Sequence, residues 1–170
     1  MKILSTRLGA RALASAALAL CAFAATAQPF PSRPVTLVVP FAPGASADGI
    51  ARIVGRELST ALGQPVVVDN KPGGGGATGL IGVAKFAPDG YTIGMGATGA
   101  IVVNPNLPDA APLKPQEQLA PVAKVADIPL VLVAGAKTGL RDLRGFIEKA
   151  RATPEGTSYG TTGQYTAQHL

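Results

Sequence analysis

The first half of the chain alternates between short apolar runs and segments in which apolar residues recur at helical spacing. The β-branched run Val35–Val39, ended by Pro40, predicts a buried strand. Apolar residues then repeat three and four positions apart as far as Leu62, which predicts a helix with Asp48 as its N-cap and Gly63 as its end. A strand is therefore followed directly by a helix.

The same alternation continues along the chain. Val66–Val68 predicts a second strand, and apolar spacing over Leu80–Phe86 predicts a second helix, which the turn residues Pro88–Gly90 stop. Tyr91–Met95 then predicts a third strand. The order strand, helix, strand, helix, strand predicts an α/β fold with a parallel sheet and right-handed crossovers.

The second half of the chain shows a less regular pattern. Asn104–Gln118 is rich in proline without periodicity, which predicts a loop. Val122–Ala126 and Pro129–Ala134 predict strands, the apolar spacing of Leu140–Ala150 predicts a further helix, and Thr157–Tyr159 predicts the start of a last strand.

The N-terminus has the pattern of a signal peptide. Three basic residues and no acidic residue precede the uncharged run Ala12–Ala25, and Ala25–Ala27 fits a small-x-small cleavage site. A membrane anchor is the alternative, but the run is short against the about 20 residues needed to span a bilayer. We therefore expect residues 1–27 to be a cleaved signal peptide of an exported protein, whose mature chain begins at Gln28.

Removal of that segment changes the charge and the chemistry. The whole chain has 15 Lys and Arg against 10 Asp and Glu, but the excess is largely in the signal peptide, so the remainder is nearly neutral. Without tryptophan or a basic patch, we expect no nucleic-acid partner. The single cysteine, Cys21, leaves with the signal, and His169 is the single histidine. We therefore expect no disulfide, metal site or cofactor.

The tract Gly74–Gly79 formally matches the dinucleotide pattern G-x-G-x-x-G. That function needs a strand directly before the first glycine and an acid about 20 residues later at the end of the next strand. Here Asp69–Pro72 intervene, and the next acid, Asp89, lies in a predicted turn. We interpret the tract as a turn between a strand and a helix.

Catalytic chemistry has little support in the sequence. There is no G-x-S-x-G motif, and His169 has no evident orienting acid. We predict that the chain is not an enzyme and has no catalytic residues. The alternative from another class is a small exported α/β hydrolase acting on an acyl or phosphate ester, with Ser46 and His169 as its candidate residues.

Three loops share one composition and one position. Pro43–Asp48 follows the first predicted strand, Ala97–Ala100 the third, and Thr161–Gln164 the last, and they consist mostly of small and hydroxyl-bearing residues. In a parallel sheet ligands bind beyond the carboxyl ends of the strands, where free N–H groups and helix dipoles favour an anion. Ordinary turns have the same composition, so the pattern alone leaves both interpretations open.

At these loops the sequence resembles the Bug family, the periplasmic solute-binding proteins of tripartite tricarboxylate transporters. The matching blocks occur in the family's order, and they are Pro31–Val35, Val39–Gly44, Leu62–Gly73, Ala87–Thr92, Leu119–Val122 and Ser158–Gly163. The resemblance implies a two-lobed periplasmic-binding-protein (Venus flytrap) fold that holds a small carboxylated organic anion between its lobes. It also implies the membrane permease subunits of the transporter as partners.

The resemblance further implies a set of ligand-binding residues in the three loops. They are Gly44, Ala45, Ser46 and Asp48 in the first, Thr98 and Gly99 in the second, and Thr161, Thr162, Gly163 and Thr166 in the third. The chain departs from the family at Ala45, where a second glycine is usual, and at Tyr165, where a small residue is usual. We expect Tyr165 to narrow the cleft.

Length is the larger departure, since family members are about twice as long. We expect residues 28–121 to form most of lobe one and residues 122–170 only the start of lobe two, as in a truncated or frameshifted product or a short variant. Such a chain should bind its solute weakly or not at all alone. A ligand sensor without a transport role is a further alternative that the sequence does not separate from transport.

Overall fold

The computed structural model of the chain describes residues 29–109 and 112–169. The chain divides into two units, Met1–Ser32 and Arg33–Leu170, and every helix and strand given below lies in the second. The expected signal peptide and its cleavage site lie outside the described residues. In the described part, no helix has both the length and the apolar character needed to cross a bilayer. The lobe division expected after residue 121 stays a prediction.

Within residues 29–109 and 112–169, three parallel strands form one sheet. They are β1 (Val35–Val39), β2 (Val66–Asn70) and β3 (Thr92–Gly94), in the order β2-β1-β3. The register pairs Val35 with Val66 and Leu37 with Ile93. The central strand β1 is buried on both faces, which is why its sequence is a continuous apolar run rather than an alternating one. All three predicted strands of the first half are confirmed.

Four α-helices are described. They are α1 (Ser46–Leu62), α2 (Ala77–Ala84), α3 (Pro115–Gln118) and α4 (Leu143–Ala152). Helix α1 ends at Gly63 as predicted, because a φ of 64° there is left-handed backbone that glycine adopts without a steric penalty. The prediction of Asp48 as its N-cap is wrong. Ala45 is the N-cap, and the carboxylate of Asp48, in the first turn, is engaged by Gly44 and Arg52 instead.

The core lies on the sheet and under the two crossover helices. Ala51 of α1 packs on Leu37 and Val39 of β1, and none of these three side chains reaches solvent appreciably. A second cluster joins Leu80 of α2 to Ala100 and Leu113. The order of strands and helices thus gives the α/β packing that the sequence predicts, with both crossover helices covering apolar residues.

The predicted loop Asn104–Gln118 is partly wrong. It contains a 3₁₀ turn at Asn104–Asn106 and the short helix α3, each with a proline in its first turn. Proline at that position costs no hydrogen bond, since the first N–H groups of a helix have no internal partner. The proline-rich composition therefore marks helix starts here as well as irregular chain.

The strands predicted at Val122–Ala126, Pro129–Ala134 and Thr157–Tyr159 are wrong: these residues are described without regular secondary structure. Their apolar side chains are exposed, with Val122 at 89% and Val133 at 82%. A strand exists only with a partner that takes its backbone hydrogen bonds, and no other described segment pairs with these residues.

The helix predicted over this half is confirmed as α4. Asp142 is its N-cap and accepts a hydrogen bond from the backbone N–H of Gly145 at 2.8 Å. A helix satisfies its backbone internally, so it forms where a strand cannot. Its apolar side chains Leu143 and Ile147 are nevertheless exposed, at 60% and 38%.

Candidate functional site

The candidate site lies at the carboxyl edge of the parallel sheet. The loop after β1 leads into α1, the glycine tract after β2 leads into α2, and the residues after β3 lead into a π-helical turn at Gly99–Val103. Parallel strands place the loops that follow them at one edge, which is where α/β proteins bind ligands. Two of the three predicted ligand loops follow strands of this edge.

Hydrogen bonds from backbone N–H groups of the first predicted loop to backbone and side-chain oxygens hold its shape. Gly44 has a φ of 84° and donates its N–H to Asp48 Oδ2 at 2.9 Å, and Ala45 donates to the carbonyl oxygen of Ala42 at 3.2 Å. A Cβ on Gly44 would meet nothing within 4 Å, so its backbone conformation, not a lack of space, calls for glycine.

Asp48 is the buried centre of this loop. Arg52 contacts both of its carboxylate oxygens, with Nε 3.0 Å from Oδ2 and Nη2 2.9 Å from Oδ1, and Asn70 Nδ2 donates to Oδ1 at 2.9 Å. The hydrogen bonds from Arg52, Gly44 and Asn70 stabilise the ionised form and lower the pKa of Asp48 well below its usual range. The same ion pair raises the pKa of Arg52.

The start of α1, next to the first predicted loop, has backbone N–H donors without a partner among the described residues. The first N–H groups of a helix have no carbonyl one turn earlier to bond to. Within the described part of the chain, no group accepts from the N–H of Ser46 or Ala47, and the Ser46 hydroxyl has no partner there either. These donors, with the positive end of the dipole of a 17-residue helix, are suited to an anion.

The glycine tract after β2 is in close contact with segments that follow the other strands. A Cβ on Gly76 would lie 3.0 Å from Ala100 Cβ and 3.1 Å from the ring of Phe41, which belong to the segments after β3 and β1. A Cβ on Gly75 would lie 2.8 Å from the carbonyl carbon and oxygen of Tyr165. Gly75 and Gly76 thus lie next to residues of the second and third predicted loops and next to Phe41, which precedes the first, and the sequence did not predict this role.

The second and third loops are in direct contact. A Cβ on Gly99 would lie 2.8 Å from the backbone nitrogen of Ala167 and 3.3 Å from Thr166 Cα. Thr166 is buried, and its hydroxyl donates to the carbonyl oxygen of Gly163 at 2.6 Å. The Thr162 hydroxyl lies within reach of both Thr166 Oγ1 and Gln168 Oε1. The third loop therefore holds its own shape while it rests on the second.

Exposure separates the predicted site residues into two groups. Three of them are buried and tie the loops to the fold: Asp48, Gly99 and Thr166. The others are open or partly open to solvent: Gly44, Ala45, Ser46, Thr98, Thr161, Thr162 and Gly163. The structure brings Gly44 to Asp48 and Gly99 to Thr166.

Tyr165 and His169 lie at the end of the third loop. Tyr165 has a left-handed φ of 64°, which is rare outside glycine. Its ring meets the His169 ring edge-on with centroids 6.4 Å apart. The narrowing of a cleft by Tyr165 stays a prediction. Among the described residues, no three His, Cys, Asp or Glu side chains group closely enough to hold a metal ion.

The parallel sheet, its crossover helices and the loops at its carboxyl edge belong to the class of α/β periplasmic binding proteins. Two solved structures support this class. One, described as a periplasmic transporter, is 39% identical with a TM-score of 0.75, and the match covers 81% of this chain and 46% of that one. The other, MatC from Rhodopseudomonas palustris with bound malate, is 35% identical with a TM-score of 0.67 over 73% of this chain and 42% of that one.

Within that class, the chain belongs to the tripartite tricarboxylate transporter receptor family, whose pattern it matches over residues 50–170. A protein of the tcbD-tcbE intergenic region of Pseudomonas sp. (strain P51) is 42% identical and matches 94% of this chain and 48% of its own length. Protein BugT of Bordetella pertussis is 40% identical over 85% of this chain and 45% of its own length. The predicted family resemblance and fold class are confirmed.

The chain spans about half the length of the curated relatives it matches. The family is one of transporter receptors, which agrees with a binding protein and does not fit the alternative of an exported hydrolase. Family members are periplasmic binding proteins.

Proposed function

We propose that the chain is a periplasmic solute-binding protein that captures a small carboxylated organic anion for a tripartite tricarboxylate-type transporter. The observation that carries this proposal is the set of small, hydroxyl-bearing loops at the carboxyl edge of the sheet, in which the one charged residue, Asp48, is paired with Arg52. An anion there gains N–H and hydroxyl donors without a fixed cation, so it is held by polarity rather than by ion pairing.

The family and one neighbour support the chemical class of the solute. The family is described by its tricarboxylate transporters, and MatC carries malate. We propose the seven open or partly open loop residues as the ligand contacts, no catalytic step, export through the N-terminal signal, and delivery of the solute to the permease subunits of the transporter.

The test is a titration of the isotopically labelled full chain with malate, followed by NMR. This measurement detects weak binding, which suits a chain that spans about half the length of its relatives. We expect malate to shift the amide signals of the three loops and its neutral dimethyl ester to leave them unchanged. Equal binding of the ester, or chemical conversion of malate, would contradict the proposal.

A matched pair of variants tests the first loop. Ser46 and Thr60 are exposed hydroxyl residues near opposite ends of α1. We expect Ser46→Ala to raise the Kd for malate about threefold or more, the loss of one hydrogen bond. Thr60→Ala should leave that Kd unchanged, and an equal effect of both variants would contradict the assigned site.

A further inference from the structure

One predicted ligand residue has its carboxylate already occupied by the protein. Asp48 Oδ2 accepts from the Gly44 N–H and Arg52 Nε, and Oδ1 accepts from Asn70 Nδ2 and Arg52 Nη2. An ionised carboxylate offers about four lone-pair sites, and here four donors meet them. The Asp48 side chain is 5% exposed.

The same cluster spans the whole loop. Asn70, the last residue of β2, donates from Nδ2 to the carbonyl oxygen of Phe41 at 3.1 Å as well as to Asp48. Phe41 begins the loop and Asp48 follows its end, so one amide joins both ends of the loop to the neighbouring strand. The bond from Gly44 to Asp48 then fixes the middle.

We propose that Asp48 is a positioning residue, which fixes the loop 41–47 and the start of α1 for the solute and does not itself contact the solute. This inference rests on the proposed function. A solute carboxylate is repelled by an ionised Asp48, and the occupied oxygens leave it no acceptor role toward a solute hydroxyl. Because its pKa is lowered, Asp48 stays ionised throughout the neutral range and keeps these bonds.

The first test compares Asp48→Asn with Asp89→Asn in the full chain. Asp89 is an exposed acid that pairs with Arg33 at 3.1 Å. Without ligand, we expect Asp48→Asn to speed hydrogen exchange of the Gly44 amide at least tenfold while the amides of β1 stay protected. The Kd for malate should rise at least tenfold, and Asp89→Asn should change both quantities less than twofold. Unchanged Gly44 exchange or an unchanged Kd in Asp48→Asn would overturn the proposal.

The second test is the exchange of the two side chains, Asp48→Asn with Asn70→Asp. It keeps one carboxylate beside Arg52, since Arg52 Nη2 also lies 3.3 Å from Asn70 Oδ1, but removes the carboxylate from Gly44. We expect the Kd for malate to stay as high in this double variant as in Asp48→Asn. Recovery of the wild-type Kd would overturn the proposal, because a carboxylate at either position 48 or position 70 would then be enough for binding.

Two measures keep this inference separate from the proposed function and from misfolding. Exchange of the Gly44 amide is measured without ligand, so fast exchange in Asp48→Asn supports the positioning of the loop whether or not the wild-type chain binds malate. A wild-type chain that does not bind malate would count against the proposed function alone. If Asp48→Asn does not fold, Asn70→Ala tests whether the same hydrogen-bonded cluster fixes the loop. We expect it to speed Gly44 exchange at least threefold, and unchanged exchange would overturn the proposal.

Discussion

Two apolar runs of this chain, Val35–Val39 and Pro129–Ala134, differ sharply in their surroundings. In the first, Val35, Val38 and Val39 are at most 3% exposed, between β2 and β3. In the second, Leu130, Val131 and Val133 are 58%, 74% and 82% exposed. Both sequences suit a buried strand, so the difference arises from the partners that other segments supply.

The largest effect expected from this contrast is on stability. Leu80→Ala removes a side chain that is 2% exposed and should lower the free energy of unfolding by about 2–5 kcal/mol. Leu132→Ala, at a residue that is 64% exposed, should change it by less than about 0.5 kcal/mol. Urea unfolding measures both, and a comparable cost for the two variants would mean that the second run is buried in solution.

A pair of glycine variants tests the contact between the glycine tract after β2 and the third loop. Gly74 and Gly75 both have left-handed φ values, 55° and 62°, so alanine costs about 1–3 kcal/mol at either position. Only at Gly75 would the new Cβ lie 2.8 Å from the Tyr165 backbone. We therefore expect Gly75→Ala alone to expose the buried Thr166, measured by exchange of its amide. Equal exchange in both variants would show that the third loop does not rest on the tract.

A smaller effect is expected in helix α4 and confined to that helix. Asp142→Ala removes the N-cap hydrogen bond to Gly145 and should cost about 1 kcal/mol. Because α4 buries little apolar surface, we expect this cost to appear as fraying, seen in the amide exchange of residues 143–152, while the urea midpoint of the sheet stays unchanged. A shift of that midpoint would instead place α4 within the cooperative core.

The smallest effect expected is a dependence on acid pH. The pKa of Asp48 is lowered in the folded chain, so its contribution to stability is complete above the unfolded value of about 4 and is lost as pH falls through the folded value. The effect is modest because Arg52, its ionic partner, is 54% exposed and screened by solvent. Urea midpoints from pH 6 to pH 3 should fall less steeply for Asp48→Asn than for wild type or Asp89→Asn.

Local signals predict the first half of the fold well. The run Val35–Val39 and the glycine at 63 mark the bounds of β1 and the end of α1, because both depend on residues close in the chain. The start of α1 was predicted three residues late, because Asp48 bonds to Gly44 and Arg52 and does not cap the helix. Which of these partners a side chain bonds to depends on tertiary geometry, which the local sequence does not determine.

The position of the candidate site in the fold could be predicted from the sequence, but the contacts between its loops could not. Small, hydroxyl-bearing loops after parallel strands indicate the right edge of the sheet, and two of the predicted loops lie there. The contacts of Gly75 with Tyr165 and of Gly99 with Thr166 join segments far apart in the chain. Four consecutive glycines before a helix are a signal of such close approach, but they do not identify the partner. The strands expected after residue 121 failed for the same reason.

The inward hydrogen bonds of the first loop have a consequence for the evolution of this protein. Phe41, Gly44 and Asp48 are held through backbone atoms or buried polar groups, whereas the side chains of Pro43 and Ser46 face solvent. Substitutions at the outward positions leave the supporting bonds intact. A lineage can therefore change the side chains at the surface of this loop, one residue at a time, while each intermediate keeps its fold.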